Sequence, residues 1–582
     1  MPSFLAENVA GSALPSALAD LIERVVRGTR LWRSEKRDVR AELESHFREG
    51  LEELASEGHS EDAAVQILCD RFGNPDLTAK LIRRGKKRGR PMILKIAVAA
   101  SIASLSAVGA GATYMAVITW GKPSPSIDYL KQLNEPVEKV AVDQRAWTVL
   151  ADALIAFKPM PNDLAALDPA SMQPGGADWA AVQRWIESNR PLLASFREAA
   201  GRPFYGFVYG GSDTAEFLQK LSESRALSEG SVDAASESDP LQPPLISILL
   251  PHLSEMRKVA WFLVLDSRDH ALQGRLAEAW DSLDVSFRMG LQLFEGRTLI
   301  EQLVGASVIR LSCEEIRRFA GDQSEGMSPE LSARIASSGV LKCRSDGISP
   351  HYDGELLSFQ DVVQYVFTDD GNGNGRIIPS QIKRIRSILQ DETAGEPRTG
   401  MERDAEILAM ASRHADRRDT LLKYEELWHD MAGFRALPLY DSRRSDGDRL
   451  LNRFLNSEEV ERFELIRLLM PSLSYADQVI RESAMEVAAT RATLWVVIRH
   501  NETGTWPKSW GELSDLPGGE PEDAYAPASL RYSIGEDGRP VIYSVWRNGV
   551  DDGGSSVSVG DASRRIASQT PADLIYFPMA HR

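Results

Sequence analysis

Residues 96–120 read IAVAASIASLSAVGAGATYMAVITW and contain no charged side chain. A helix needs roughly 20 mostly apolar residues to cross the hydrocarbon core, so this run is long enough. Directly before it stand Arg83, Arg84, Lys86, Lys87, Arg88, Arg90 and Lys95, and a Lys/Arg excess marks the cytoplasmic end of a membrane helix. Trp120 at the far end suits the opposite interface. The pattern predicts one transmembrane helix over 92–120, with residues 1–90 cytoplasmic and the C-terminal bulk extracytoplasmic. The expected location is therefore the inner (cytoplasmic) membrane. A late signal peptide, cleaved near Ala110-Gly111-Ala112, and a buried soluble helix are the alternatives. The long segment ahead speaks against the first, and the seven cations against the second. Ala103, Ala107 and Gly111 fall four apart, a small-residue face that could pack against a second copy as a homo-oligomer.

The length of 582 residues predicts several domains, and 43% hydrophobic with 7% aromatic residues supports folded cores rather than a disordered chain. Net charge is −17 although the cluster between Arg83 and Lys95 is purely basic, so the remainder is more acidic still. Such a chain repels nucleic acid, which is excluded as a partner, and the basic cluster reads as a flank facing anionic lipid. Three cysteines are present. Cys69 is expected reduced; Cys313 and Cys343 either form a disulfide or stay as two buried thiols. No Cys/His spacing suggests zinc.

Fold class is expected to be mostly α, with the one transmembrane helix and a small antiparallel β unit at the C-terminus. In residues 1–90, Leu43, Phe47, Leu51 and Leu54 recur at helical spacing, Gly58 stops that helix, and Ser60-Glu61-Asp62 starts another that ends at Phe72-Gly73-Asn74-Pro75. The order AELESHFREGLEELASEGHSEDAAVQILCDRFGNPDLTAKLI resembles the helical prefix domains that precede membrane spans in bacterial permeases and signalling proteins. The resemblance implies a cytoplasmic module with a protein partner, and no chemistry. Residues 122–500 read as a helical domain, strongest over Leu245 to Phe319. There Gly274 and Ala279 sit as in a tetratricopeptide repeat, but no 34-residue period is present and a helical hairpin or irregular solenoid is the expectation. Trp280, Phe287, Leu291 and Phe294 read as core.

Residues 501–582 change texture. Leu530 to Ile534 and Val541 to Trp546 read as strands joined at Gly535-Glu536-Asp537-Gly538, a hairpin signal, with a last strand at Leu574 to Phe577. The run TGTWPKSWGEL…LRYSIGEDGRPVIYSVWRNGVDDGG…DLIYF resembles the C-terminal sheet of type II secretion pseudopilins, though no prepilin leader is present. Together the prefix, helical middle and ending resemble single-pass membrane proteins of planctomycetes.

The sharpest local motif runs from Asp370 to Gln381. Asp370, Asn372, Asn374 and Gly375 match positions one, three, five and six of an EF-hand loop, and Ile377 supplies the apolar position eight. The resemblance implies calcium held by Asp370, Asn372, Asn374, the carbonyl of Arg376 and Gln381. Gln381 stands where a bidentate Glu is usual, so affinity is expected to be weak. A Gly/Asn-rich turn without metal is the equal alternative. His351, Asp353 and Glu355 are a lesser candidate for a metal, with a solvated loop the favoured alternative.

Catalytic signatures are missing: no HExxH, GxSxG, P-loop or GxGxxG occurs. Ser380-Gln381-Ile382-Lys383 fits SxxK without a companion KTG. The expectation is a membrane-anchored extracytoplasmic scaffold, interaction or sensor protein, stabilised by calcium. The rivals are an extracytoplasmic enzyme whose site is assembled from distant residues, and a signalling component acting through residues 1–90.

Overall fold

The computed structural model describes residues 13–88, 121–165, 167–225, 245–248, 250–388, 400–470, 473–554, 556–558 and 573–578. The chain divides into two compact units, 1–117 and 118–582.

The described part of the first unit is four helices: α1 (Ser16–Gly28), α2 (Arg33–Ser56), α3 (Glu61–Phe72) and α4 (Pro75–Arg88). Ser60 caps α3 by accepting from the Ala63 N–H, the sequence-local signal for a helix start. Leu18, Leu21, Ile22, Val26, Val39 and Phe47 form the core, with Leu43, Leu51 and Phe72 packed around it. The Phe47 and Phe72 rings meet at 5.2 Å.

The second unit is built on a hairpin and two long helices. α5 (His252–Leu272) turns at Gly274 into α6 (Leu276–Phe294), and α7 (Leu299–Asp322) follows through a Thr298/Glu301 capping box. Trp280, Leu283 and Phe287 of α6 are buried, as their 3.6-residue spacing requires. Burying a side chain such as Leu283 or Phe287 contributes about 1.5–3 kcal/mol. In front of α5, helices Trp147–Ala156, Trp179–Asn189 and Leu193–Gly201 enclose a second core in which Phe157, Trp185 and Phe196 surround Phe262. A third core lies beneath α8 (Asp353–Val366), α9 (Pro379–Ile388), α10 (Arg417–Arg435) and α11 (Arg444–Leu455).

α12 (Leu473–Thr503) crosses the unit and packs on α7. After it come four strands, β1 (Arg531–Ile534), β2 (Pro540–Ser544), β3 (Ser556–Ser558) and β4 (Asp573–Phe577), in the order β1-β2-β4-β3. The β1–β2 hairpin pairs Arg531 with Tyr543 and Ile534 with Pro540, β4 joins β2 antiparallel, and β3 pairs with β4 in parallel. The small sheet is thus mixed at its β3 edge. Its inner residues Ile542, Leu574 and Phe577 belong to the same core as Leu494, Val497 and Ile498 of α12.

One expectation is corrected. Among the described residues no helix is long and apolar enough to cross a membrane, so the chain is mostly helical with a small sheet, and the transmembrane element of the fold class and the placement in the inner membrane are not supported. The longest described helix, α12, carries Asp477, Arg481, Glu482, Glu486, Arg491 and Arg499 and buries its apolar residues against protein. The run 96–120 itself lies outside the described residues.

Candidate functional site

On one face of α12, Arg481, Ala484, Met485, Ala488 and Arg491 follow one another at helical spacing. The two alanines leave a hollow between the arginines, because a methyl group reaches no further than the helix surface. Three loops wall this hollow: 344–350, 436–440 and 518–529. The result is a cleft of about 770 Å³, within the roughly 300–1,000 Å³ typical of ligand sites.

The 518–529 wall is a hydrogen-bonded turn. The Asp523 N–H donates to the Ala528 carbonyl at 2.9 Å, and the Leu530 N–H to that of Pro521 at 2.7 Å. Asp523 fastens this wall to β2: its carboxylate accepts from Ser544 Oγ at 2.7 Å and from the Val545 N–H at 3.0 Å. Burial raises the Asp523 carboxyl above the usual carboxylate range, although these donors pull the other way. Gly518, at φ +82°, lies flat on the Arg491 guanidinium; a Cβ there would fall 2.7 Å from its atoms, so a side chain would displace the arginine. Arg491 in turn donates to the Cys343 carbonyl at 2.9 Å, tying α12 to the 344–350 wall. Arg344 and Tyr440 are exposed on the rim.

The lining includes arginines, carboxylates, serines and prolines but neither histidine nor cysteine. Its one deeply buried acid, Asp523, is occupied in holding the wall.

The expected calcium ligands lie elsewhere, between α8 and α9. Asp370 Oδ1 accepts from the N–H groups of Asn372 at 2.8 Å and Asn374 at 3.0 Å. The Arg376 carbonyl accepts from the Thr368 N–H at 2.9 Å. Gly375 is pressed against the Thr368 carbonyl, where a Cβ would stand 1.7 Å away, so only glycine fits. Asn372 is exposed, and Gln381 is buried in the first turn of α9. Asp369 pairs outward with Arg417 at 2.6 Å. The loop closes through its own hydrogen bonds with a single carboxylate, Asp370, in the donor set. Among the described residues no group of three or more His, Cys, Asp or Glu side chains is placed to hold a metal ion.

The lesser candidates are each engaged with another partner. Glu355 accepts from the Leu299 N–H at 3.0 Å and Asp353 faces Arg297 at 3.6 Å, while the His351 N–H donates to Gln302. Lys383 pairs with Asp404 at 2.8 Å. Cys313 and Cys343 are not joined by a disulfide; burial pushes the Cys313 thiol up to about 12, which leaves it unreactive. The cleft escaped sequence reasoning because its walls are up to 185 positions apart, from Arg344 to Ser529, and spell no motif. The available signal was the small-residue face of α12 bounded by Arg481 and Arg491.

No known protein family, curated protein or solved structure matches this chain.

Proposed function

We propose that this chain is an interaction protein whose cleft between α12 and the 518–529 wall receives an extended segment of a partner polypeptide. The observation that carries the reading is the lining itself: Arg344, Arg481 and Arg491 around a small-residue floor, with Tyr440 exposed on the rim. Arg and Tyr are the side chains that dominate protein–protein recognition, since each combines a large contact area with a directional polar end. Trp32, Leu77 and Leu81, exposed on the N-terminal unit, support the same class of function for residues 1–90. A random peptide library displayed against the full chain tests the cleft. Enriched peptides are expected to lose at least about tenfold in affinity with Tyr440→Ala or Arg344→Glu, a loss of about 1.4 kcal/mol. Peptides that bind both variants like the parent, or no enrichment at all, refute it.

Calcium at 370–381 is a second, separate proposal. It is favoured by the placement of Asp370, Asn372 and Asn374 on one tight loop between two helices. One carboxylate and a monodentate Gln381 suit a dissociation constant on the order of 0.1–1 mM. Calorimetry on the full chain is expected to show tighter calcium binding in Gln381→Glu and none in Asp370→Ala. Equal calcium heats in parent and both variants leave the loop a turn and nothing more.

A further inference from the structure

The chain carries three Asn-Gly pairs: Asn372-Gly373, Asn374-Gly375 and Asn548-Gly549. In such a pair the glycine nitrogen can attack the asparagine side-chain amide. Glycine has no Cβ to hinder the approach and lets the backbone rotate into it, and an intramolecular attack gains from proximity. The structure treats the three pairs unequally.

Asn548 is held on both sides of its amide. Its Nδ2 donates to Asp552 Oδ2 at 3.0 Å, its Oδ1 accepts from the Val550 N–H at 3.0 Å, and the Gly549 N–H donates to the Trp546 carbonyl at 3.1 Å. Ring closure would break these bonds. Asn374 is half-buried, and its carbonyl accepts from the Asp370 N–H at 2.8 Å. The carbonyl of Gly375 accepts from the Arg417 N–H at 2.8 Å, and the Thr368 carbonyl presses on the other side of this glycine, so its backbone has no room to turn.

Asn372 stands at the open tip of the loop, exposed together with Gly371 and Gly373. Apart from its chain neighbours, Gly373 has no atom within 4 Å of where a Cβ would stand. Among the described residues the Asn372 side chain makes no hydrogen bond, and the carbonyls of Gly371, Asn372 and Gly373 accept from no backbone N–H. The Gly373 N–H faces the Asp369 carboxylate as a donor. Hydrogen bonds, first that from the Gly371 N–H, hold this carboxyl below its usual range. It is therefore an ionised acceptor that draws on the proton the nitrogen must give up.

We propose that Asn372 is a site of spontaneous deamidation, which turns the third position of the 370–381 loop into a carboxylate. The Gly373 nitrogen bonds to Asn372 Cγ and its proton passes to water. The Cγ–Nδ2 bond then breaks and Nδ2 leaves as ammonia. Water opens the resulting five-membered imide at either carbonyl, giving aspartate or, with the main chain lengthened by a methylene, isoaspartate. Water is consumed and ammonia released in equal number, with no oxidant or cofactor. An aspartate at position 372 adds a second carboxylate to the oxygen set around Asp370. That consequence rests on the calcium reading; the deamidation does not.

Incubation of the full chain in heavy-oxygen water at mildly alkaline pH, followed by peptide mapping by mass spectrometry, tests the site. The label separates conversion during incubation from conversion during digestion. In the folded chain Asn372 is expected to convert at least about tenfold faster than Asn374 and Asn548. In denaturant the three rates should converge, because each asparagine then has only its glycine to decide. Asn374 or Asn548 converting as fast as Asn372 in the folded chain overturns the proposal. So does an Asn372 that keeps its amide when folded while the unfolded chain loses it. Calorimetry on Asn372→Asp reads the consequence separately: calcium is expected to bind about tenfold tighter than in the parent. Equal calcium heats there would refute the calcium reading and leave the peptide map standing.

Discussion

Both ring nitrogens of His252 are buried without a hydrogen-bond partner among the described residues. The ring packs on Phe207 at 4.2 Å and Trp147 at 5.3 Å, with Nε2 3.8 Å from Glu301 Oε1. Burial holds its pKa below the ordinary imidazole value, outweighing the Glu301 carboxylate that raises it. The unfolded chain therefore takes up the proton first as pH falls. The stability contribution of neutral His252 is full above about pH 6.5 and is lost progressively as pH falls through that value toward the depressed folded one. His252→Phe should remove this part of the slope. Denaturant unfolding of both proteins between about pH 7 and 5 checks it, and parallel pH profiles contradict it. Nothing in the sequence marks His252, whereas the loop at Asp370 stood out because its residue types are consecutive. An environment made by Trp147, Phe207 and Glu301 has no consecutive signature.

Among the elements, α7 and α12 are joined through a buried ion pair. Arg317 and Glu486 meet at 2.6 Å, at 0% and 3% side-chain exposure. Arg317 also donates to Thr490 Oγ1 at 2.6 Å and lies 5.0 Å from the Tyr576 ring centre of β4. Removing one partner strands the other charge in the core, so Glu486→Gln is expected to cost about 3–5 kcal/mol. The paired change Arg317→Met with Glu486→Leu removes both charges and should recover most of that loss. A double-mutant cycle by urea unfolding measures both, and a double variant as unstable as the two single changes summed argues against the pair as the cause. At this scale much was legible. The 3.6-residue apolar period marked α6, and the Gly535–Gly538 turn between alternating residues marked the β1–β2 hairpin. The parallel strand β3 was not legible, because its three residues gain strand character only from pairing with β4.

For the whole molecule, the ending shares its core with the helices. Tyr576 and Phe577 of β4 lie with Ile316 and Phe319 of α7 and Leu494 and Val497 of α12 in one buried cluster. A chain ending at Thr505 would open that cluster to water and leave Arg317 without the Tyr576 ring. It is expected to aggregate or to lose cooperative unfolding by circular dichroism. A soluble monomer with the parent's unfolding midpoint would show the sheet to be an independent appendage.

The sequence by itself determined what depends on neighbours along the chain: helices where apolar residues recur every three or four positions, strands where they alternate, turns at glycine, and the lack of any contiguous catalytic motif. Hydropathy of one window also suggested a membrane span. The described helices of similar length instead place charges among their apolar residues and bury the latter against one another. Only the tertiary structure decided which charges are interior, that Cys313 and Cys343 are not joined by a disulfide, and that Arg344, Tyr440, Arg481 and the 518–529 turn share a cleft. The reason is range. Periodicity is a property of a few consecutive residues, whereas burial and ion pairing are set by groups far apart in the chain, brought together only when the cores close.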